Sequence, residues 1–168
     1  MKTARLVAQP ILIALLLAVG VRSAVRIYAI PSASMEPTLQ PGDHIVVTPY
    51  RSELPKRGDV IVFHSPIHSE ELLIKRIAGV AGDLVEGRDG RLIVPAGCYF
   101  VLGDNRANSF DSRQWGVLSR NLIVGRARLV LWSSNAATLE PRANAAPRWR
   151  SALPSHSIRI DRLFKPIV

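Results

Sequence analysis

From Ile27 onward the chain is written in short apolar runs, each opened or closed by glycine, proline or aspartate. Ile45-Val46-Val47-Thr48 follows Pro41-Gly42-Asp43, and Val60-Ile61-Val62-Phe63 follows Arg57-Gly58-Asp59. Leu72 to Val80 is ended by Gly82-Asp83; Leu92-Ile93-Val94, Tyr99-Phe100-Val101-Leu102, Leu122-Ile123-Val124 and Ala127 to Trp132 come after it. Such runs have the length of strands, and the turn residues between them keep them separate. No long amphipathic helical pattern follows Val25. Residues 27–134 are therefore predicted to form a mainly β domain with an antiparallel sheet. After Ser134 the composition shifts to Ala, Pro, Asn and Arg, so 135–168 reads as a tail, with Ile158 to Phe164 returning to pack on the body.

The first residues differ. Met1-Lys2-Thr3-Ala4-Arg5 is a basic head, followed by an apolar run from Leu6 to Val21 and bordered by Arg22 and Arg26. A helix of that length spans about 24 Å, short of a hydrocarbon core of ~30 Å. Extension to Ile30 covers the gap if Arg22 and Arg26 reach into the headgroups. The same head, run and small residues Ser23-Ala24 also describe a cleavable signal peptide. Both readings, anchor over 1–26 or removed leader, send the chain to or across a membrane.

Charge narrows the partners. The net charge is +9 with a pI of about 10.8, and mean hydropathy is +0.15. Anionic lipid and nucleic acid both suit that balance. Aromatics make up only 6% and are not interleaved with a basic run, so nucleic acid is excluded in favour of membrane lipids. Cys98 stands alone, without a disulfide partner or a cysteine-based metal site, and reads as a small buried hydrophobe. His64 and His68 have helical spacing but enclose Pro66 and lie in no zinc-protease pattern, so no metal is expected.

The chemistry sits in three stretches. Pro31-Ser32-Ala33-Ser34-Met35-Glu36-Pro37-Thr38-Leu39 carries two serines between prolines that restrict the backbone. Leu72-Leu73-Ile74-Lys75-Arg76 carries a lysine after three apolar residues. Gly103 to Arg113 is a polar turn. A serine hydroxyl needs a base within hydrogen-bond reach, and amide hydrolysis needs donors for the oxyanion. Lysine serves as a base only when neutral, against a reference pKa of ~10.4, and desolvation lowers that value. Lys75 is placed to lie beside a core, whereas Arg76, its strand neighbour, is expected to face solvent. Ser34 is the better nucleophile, with the Ser32 hydroxyl and the Ser34 N–H as oxyanion donors. Asp111 and Arg113 are spaced to pair, and Asp104 and Arg106 repeat that spacing.

These blocks resemble bacterial type I signal peptidase, the membrane-bound serine/lysine leader peptidase family. Ile30 to Leu39 with Gly42-Asp43, Arg57 to Phe63, Ile74 to Gly79 with Gly82-Asp83, Leu102 to Gly116 and Ile123 to Ala127 carry the resemblance in family order. It implies Ser34 as nucleophile, Lys75 as general base, Ser32 as oxyanion donor and Ser109 as the hydroxyl that orients the Lys75 amine, with Asp111 and Arg113 bracing the site. It also implies a β-fold catalytic domain outside the cytoplasmic membrane, held by an N-terminal transmembrane anchor, no cofactor, and preprotein signal peptides as substrates. Three features depart from the family. Ala107 stands where a second acidic residue is usual, and only Leu84 to Leu102 fills the interval where larger members carry an extra β domain. The anchor, too, is short. A maturation peptidase dedicated to one secretion or conjugation system is the nearest alternative, and a non-enzymatic, basic, membrane-tethered β module is the alternative outside enzymes.

Ile30, Met35, Ile45, Val62, Leu73 and Ile74 flank the dyad and are expected to line the substrate groove. No charge lies among them, and their branched walls suit only small side chains at the first and third residues before the cut.

Overall fold

The computed structural model describes residues 25–134 and 158–167. Ten strands form the framework of the described residues, and every strand pairing is antiparallel. They are β1 (Arg26–Ala29), β2 (Asp43–Thr48), β3 (Val60–His64), β4 (Leu72–Gly79), β5 (Leu84–Gly87), β6 (Gly90–Ile93), β7 (Cys98–Leu102), β8 (Leu118–Ser119), β9 (Ile123–Ser133) and β10 (Lys165–Pro166). One short helix, α1 (Ser112–Trp115), precedes β8. The principal sheet runs β1-β2-β9-β3-β4-β7-β8, with β10 also on β9, and β5-β6 forms a separate hairpin.

β9 is the spine. One edge pairs with β2 along its length, while the other pairs with β3 near Ile123–Arg126 and with β10 at Leu129–Val130. The sequence pattern divides this stretch at Gly125-Arg126, but the strand runs through. A Cβ at Gly125 would lie 2.5 Å from the Thr48 carbonyl, so this glycine admits a close neighbouring strand and does not turn the chain. β3 shows how the sheet separates two cores. Val60 and Val62 join one apolar cluster with Met35, Leu39, Ile45 and Ile74, whereas Ile61 and Phe63 join the other with Ile77, Tyr99, Val101 and Leu118. That is the period-2 alternation of a strand covered on both faces.

Two expectations change here. Residues 26–29 pair with His44–Val47, so an apolar helix extended to Ile30 is excluded and Arg26 belongs to a strand. Cys98 is only half-buried, because it opens β7 beside the chain turn at Gly97. The anchor reading falls on residues outside those described. Among the described residues no helix is long and apolar enough to cross a membrane.

Candidate active site

The chain leaves β1 at Ile30 and re-enters the sheet at Asp43, where Ile30 N–H donates to the Asp43 carbonyl (2.8 Å) and Gly42 N–H to the Ile30 carbonyl (2.9 Å). This neck closes a loop that carries Ser32 and Ser34. Met35 and Leu39, both without accessible surface, plug the loop into the first core cluster. Leu39 N–H donates to the Met35 carbonyl at 2.9 Å, which tightens the turn after Ser34.

Lys75 stands in β4 opposite Ile61, and its Nζ lies 2.7 Å from Ser34 Oγ. The lysine is 4% exposed and the serine 9%. Burial pushes the Lys75 amine below the ordinary lysine range; the fields of Asp111, Glu71 and Asp104 oppose that shift without cancelling it. A neutral amine at hydrogen-bond distance from a hydroxyl can accept its proton. Ser32 is exposed, and its Oγ is 3.3 Å from Ser34 Oγ.

The turn from Gly103 to Arg113 closes over this pair. Asn105 N–H donates to the Ser34 carbonyl (3.1 Å), and Asn105 Nδ2 to the Ala33 carbonyl (3.2 Å). Gly103 sits where a Cβ would be 2.2 Å from Ser109 Oγ and 2.5 Å from the Ser34 carbonyl, so only glycine fits between the two loops. Asp111 is fully buried and caps α1. It takes Arg113 Nε at 2.9 Å and Nη2 at 3.0 Å, with Gly103 N–H at 3.0 Å. Burial alone would raise its pKa, but the Arg113 and Gly103 bonds outweigh it and hold the carboxyl below the usual range. Ser109 Oγ is buried and makes no bond to Lys75; its hydroxyl acts on the Asp111 carboxylate and helps to lower that group's pKa.

The Asp111–Arg113 pair forms as its spacing suggests. Asp104 does not pair with Arg106. Its partner is Arg76, whose Nε and Nη2 reach the two carboxylate oxygens at 2.9 and 2.8 Å, while Arg106 is exposed. Arg76 therefore does not simply face solvent; it also donates to the Gly58 carbonyl (2.8 Å) and toward Thr38 Oγ1 (3.4 Å). Of the apolar residues expected to line a groove, Leu73 is half-buried, and Ile30, Val62 and Ile74 are buried with a little surface. Met35 and Ile45 have no accessible surface, which makes them the floor beneath such a groove and not its wall. Asn105 and Gly103 carry no chemistry of their own. Only their position in the polar turn pointed to them.

The match to a family model, that of the signal peptidases, peptidase S26, covers residues 4–94 and 93–132. It divides inside the Leu84–Leu102 interval. The signal peptidase I of Leptolyngbya laminosa is 36% identical over 157 residues, spanning 73% of this chain and 77% of the relative. That of Aquifex aeolicus is 28% identical over 229 residues, spanning 84% of this chain and 90% of the relative. The latter match is longer than the chain's 168 residues, so that relative carries internal segments absent here. A crystal structure of a signal peptidase I from Enterococcus faecalis is similar at 29% identity and a TM-score of 0.39, covering 44% of this chain and 97% of that one.

Proposed function

This chain belongs to the signal peptidase family, peptidase S26, and from that premise we propose that it is a membrane-bound serine endopeptidase that removes signal peptides from exported preproteins. Ser34 is the nucleophile and Lys75 the general base. The observation that carries the reading is the 2.7 Å approach of Lys75 Nζ to Ser34 Oγ in a setting that lowers the amine's pKa.

The steps follow from those positions. Neutral Lys75 accepts the Ser34 hydroxyl proton as Oγ bonds to the scissile carbonyl carbon. The carbonyl oxygen takes up the negative charge and is held by the Ser32 hydroxyl and the Ser34 N–H. Collapse breaks the C–N bond, and the Lys75 ammonium protonates the departing amine. Water, deprotonated by Lys75, then hydrolyses the Ser34 ester and frees the enzyme. Ser109 Oγ, buried in the turn above the dyad, takes an N–H of Lys75 and orients the amine. Asp111, Arg113 and Asp104 brace the turn above the dyad; Arg106 lends its carbonyl, which accepts from Arg113 Nη2 at 2.7 Å.

The residues ahead of β1 hold the protein in the cytoplasmic membrane as a single span, with the catalytic domain on the extracytoplasmic side. Short attachment keeps Ser34 near the bilayer surface, where cleavage sites emerge, and raises their effective concentration. Ile30, Val62, Leu73 and Ile74 present uncharged, branched surface, so small residues are accepted at the first and third positions before the cut. The test is incubation of the detergent-solubilised protein with an Ala-x-Ala preprotein. A single cut is expected, lost in Ser34→Ala and in Lys75→Arg, because arginine cannot be deprotonated in a protein. Lysine or leucine at either small position is expected to lower kcat/KM at least about 100-fold. Turnover by Lys75→Arg would refute the lysine base, and efficient cutting of a Lys-x-Ala preprotein would refute the groove.

A further inference from the structure

The segment that returns to the body near the C-terminus does more than cover it. Arg162 is 4% exposed and lies against Asp43, which has no accessible surface. Its Nε donates to Asp43 Oδ1 at 2.9 Å and its Nη2 to Oδ2 at 2.5 Å, and the same Nη2 donates to the Thr38 carbonyl at 2.9 Å. Arg159 adds bonds to the Pro41 carbonyl (2.7 Å) and to Gln40 Oε1. Asp43 completes the set by accepting Gln40 N–H at 2.9 Å and Ser133 Oγ at 2.5 Å. Two guanidinium groups from one end of the chain thus converge on residues 38–43, the return limb of the loop that carries Ser34.

We infer that the segment 158–167 is a clasp on the nucleophile loop, and that Arg162 is a positioning residue for Ser34. The inference rests on the peptidase reading. Asn105 fixes the loop on the side of Ala33 and Ser34, and Arg76 and Asp104 reach the Thr38 side chain, whereas the Thr38 carbonyl takes its bond from Arg162. The turn between these fixed points carries the Leu39-to-Met35 bond, and its slack decides where Ser34 Oγ stands relative to Lys75. Displacement of a reacting group by about 1 Å costs up to ~100-fold in rate. A planar fork serves both Asp43 oxygens and the Thr38 carbonyl together; an ammonium is a point donor and cannot.

The experiment compares the parent chain with Arg162→Lys and with the double variant Asp43→Asn/Arg162→Gln, which removes both buried charges. Arg162→Lys is expected to lower kcat about tenfold with KM within about twofold, and to leave the pH at which kcat rises unchanged. The Leu39 amide should exchange with solvent about tenfold faster, while amides of β3 and β4 keep their protection. The double variant should regain the parent's Tm without regaining kcat, which separates positioning from charge neutralisation. A kcat within twofold of the parent in Arg162→Lys would overturn the clasp, as would exchange that speeds up across the whole sheet. Should the parent prove inactive, the peptidase reading falls, and the exchange of Leu39 against β3 and β4 decides the clasp by itself.

Discussion

The two loops that meet at Ser34 are held by opposite means. Residues 103–113 brace themselves: Asp111 binds Arg113 two positions away, caps α1 and receives Gly103 N–H from the start of the same turn. Residues 31–42 are braced from elsewhere, by Asn105 on one limb and by Arg76, Arg159 and Arg162 on the other. The self-braced loop forms as a unit once its own sequence is folded. The other is complete only once the C-terminal segment is in place, since Arg159 and Arg162 lie more than a hundred residues from the limb they hold. The position of Ser34 on such a loop is open to change from distant sites.

The sharpest way to break the arrangement is at the point of contact. Gly103→Ala puts a methyl group 2.5 Å from the Ser34 carbonyl, which is backbone and cannot step aside as a side chain would. The loops must part, and kcat/KM for an Ala-x-Ala preprotein is expected to fall at least about 100-fold. Activity within tenfold of the parent would show that the loops do not depend on each other.

Next comes the self-braced loop. Asp111→Ala removes a helix cap, worth ~0.5–2 kcal/mol, and leaves the Gly103 N–H without its acceptor, which costs ~1–3 kcal/mol when buried. A loss of about 2–4 kcal/mol by denaturant titration is expected. The pH dependence follows from sign. The folded state holds the Asp111 carboxyl below its unfolded value of ~3.9, so its contribution is present above that value and is lost as pH falls through the carboxylate range. The variant should therefore lose less stability than the parent between about pH 5 and pH 2. Equal acid sensitivity of the two proteins would remove Asp111 from the account.

The same contrast explains how far the sequence could be read. The strand cadence, the apolar setting of Lys75 and the Asp111–Arg113 pair are local patterns, and each is legible because its cause lies within a few residues. Asp104 with Arg76 was misread as Asp104 with Arg106, since proximity along the chain competed with a strand that ends nearby in space. Arg162 gave no signal in a tail rich in arginine; only the fold reveals that Asp43 is its partner. Gly125 looked like punctuation and proved to be a place where two backbones touch. Met35 and Ile45 were legible as apolar, but their depth depends on the loop folding back over the sheet.

Lys75 meets the loop of residues 31–42 at Ser34, and it offers the smallest and most pointed test. Burial places the folded pKa of its amine below the unfolded value of ~10.4. Between those two values the unfolded chain binds more protons, so stability rises with pH across that window, and below it the buried amine costs the fold its full penalty. Methionine has similar length and no charge to bury. Lys75→Met also leaves the Ser34 hydroxyl without its partner, an offset of ~1 kcal/mol, but Ser34 retains Ser32 Oγ at 3.3 Å. A net gain of about 1 kcal/mol at pH 7 is expected, seen as roughly 2–6 °C in Tm, with activity abolished. The gain should shrink as pH approaches ~10.4, where the parent no longer loses by burying the amine. The kinetic counterpart is that kcat/KM of the parent rises with pH through the folded value of the same group, at a pH below the ordinary lysine range. A variant no more stable than the parent at pH 7, or one whose advantage is the same at pH 10, would mean that the lysine is not held neutral by burial, and the site would need another base.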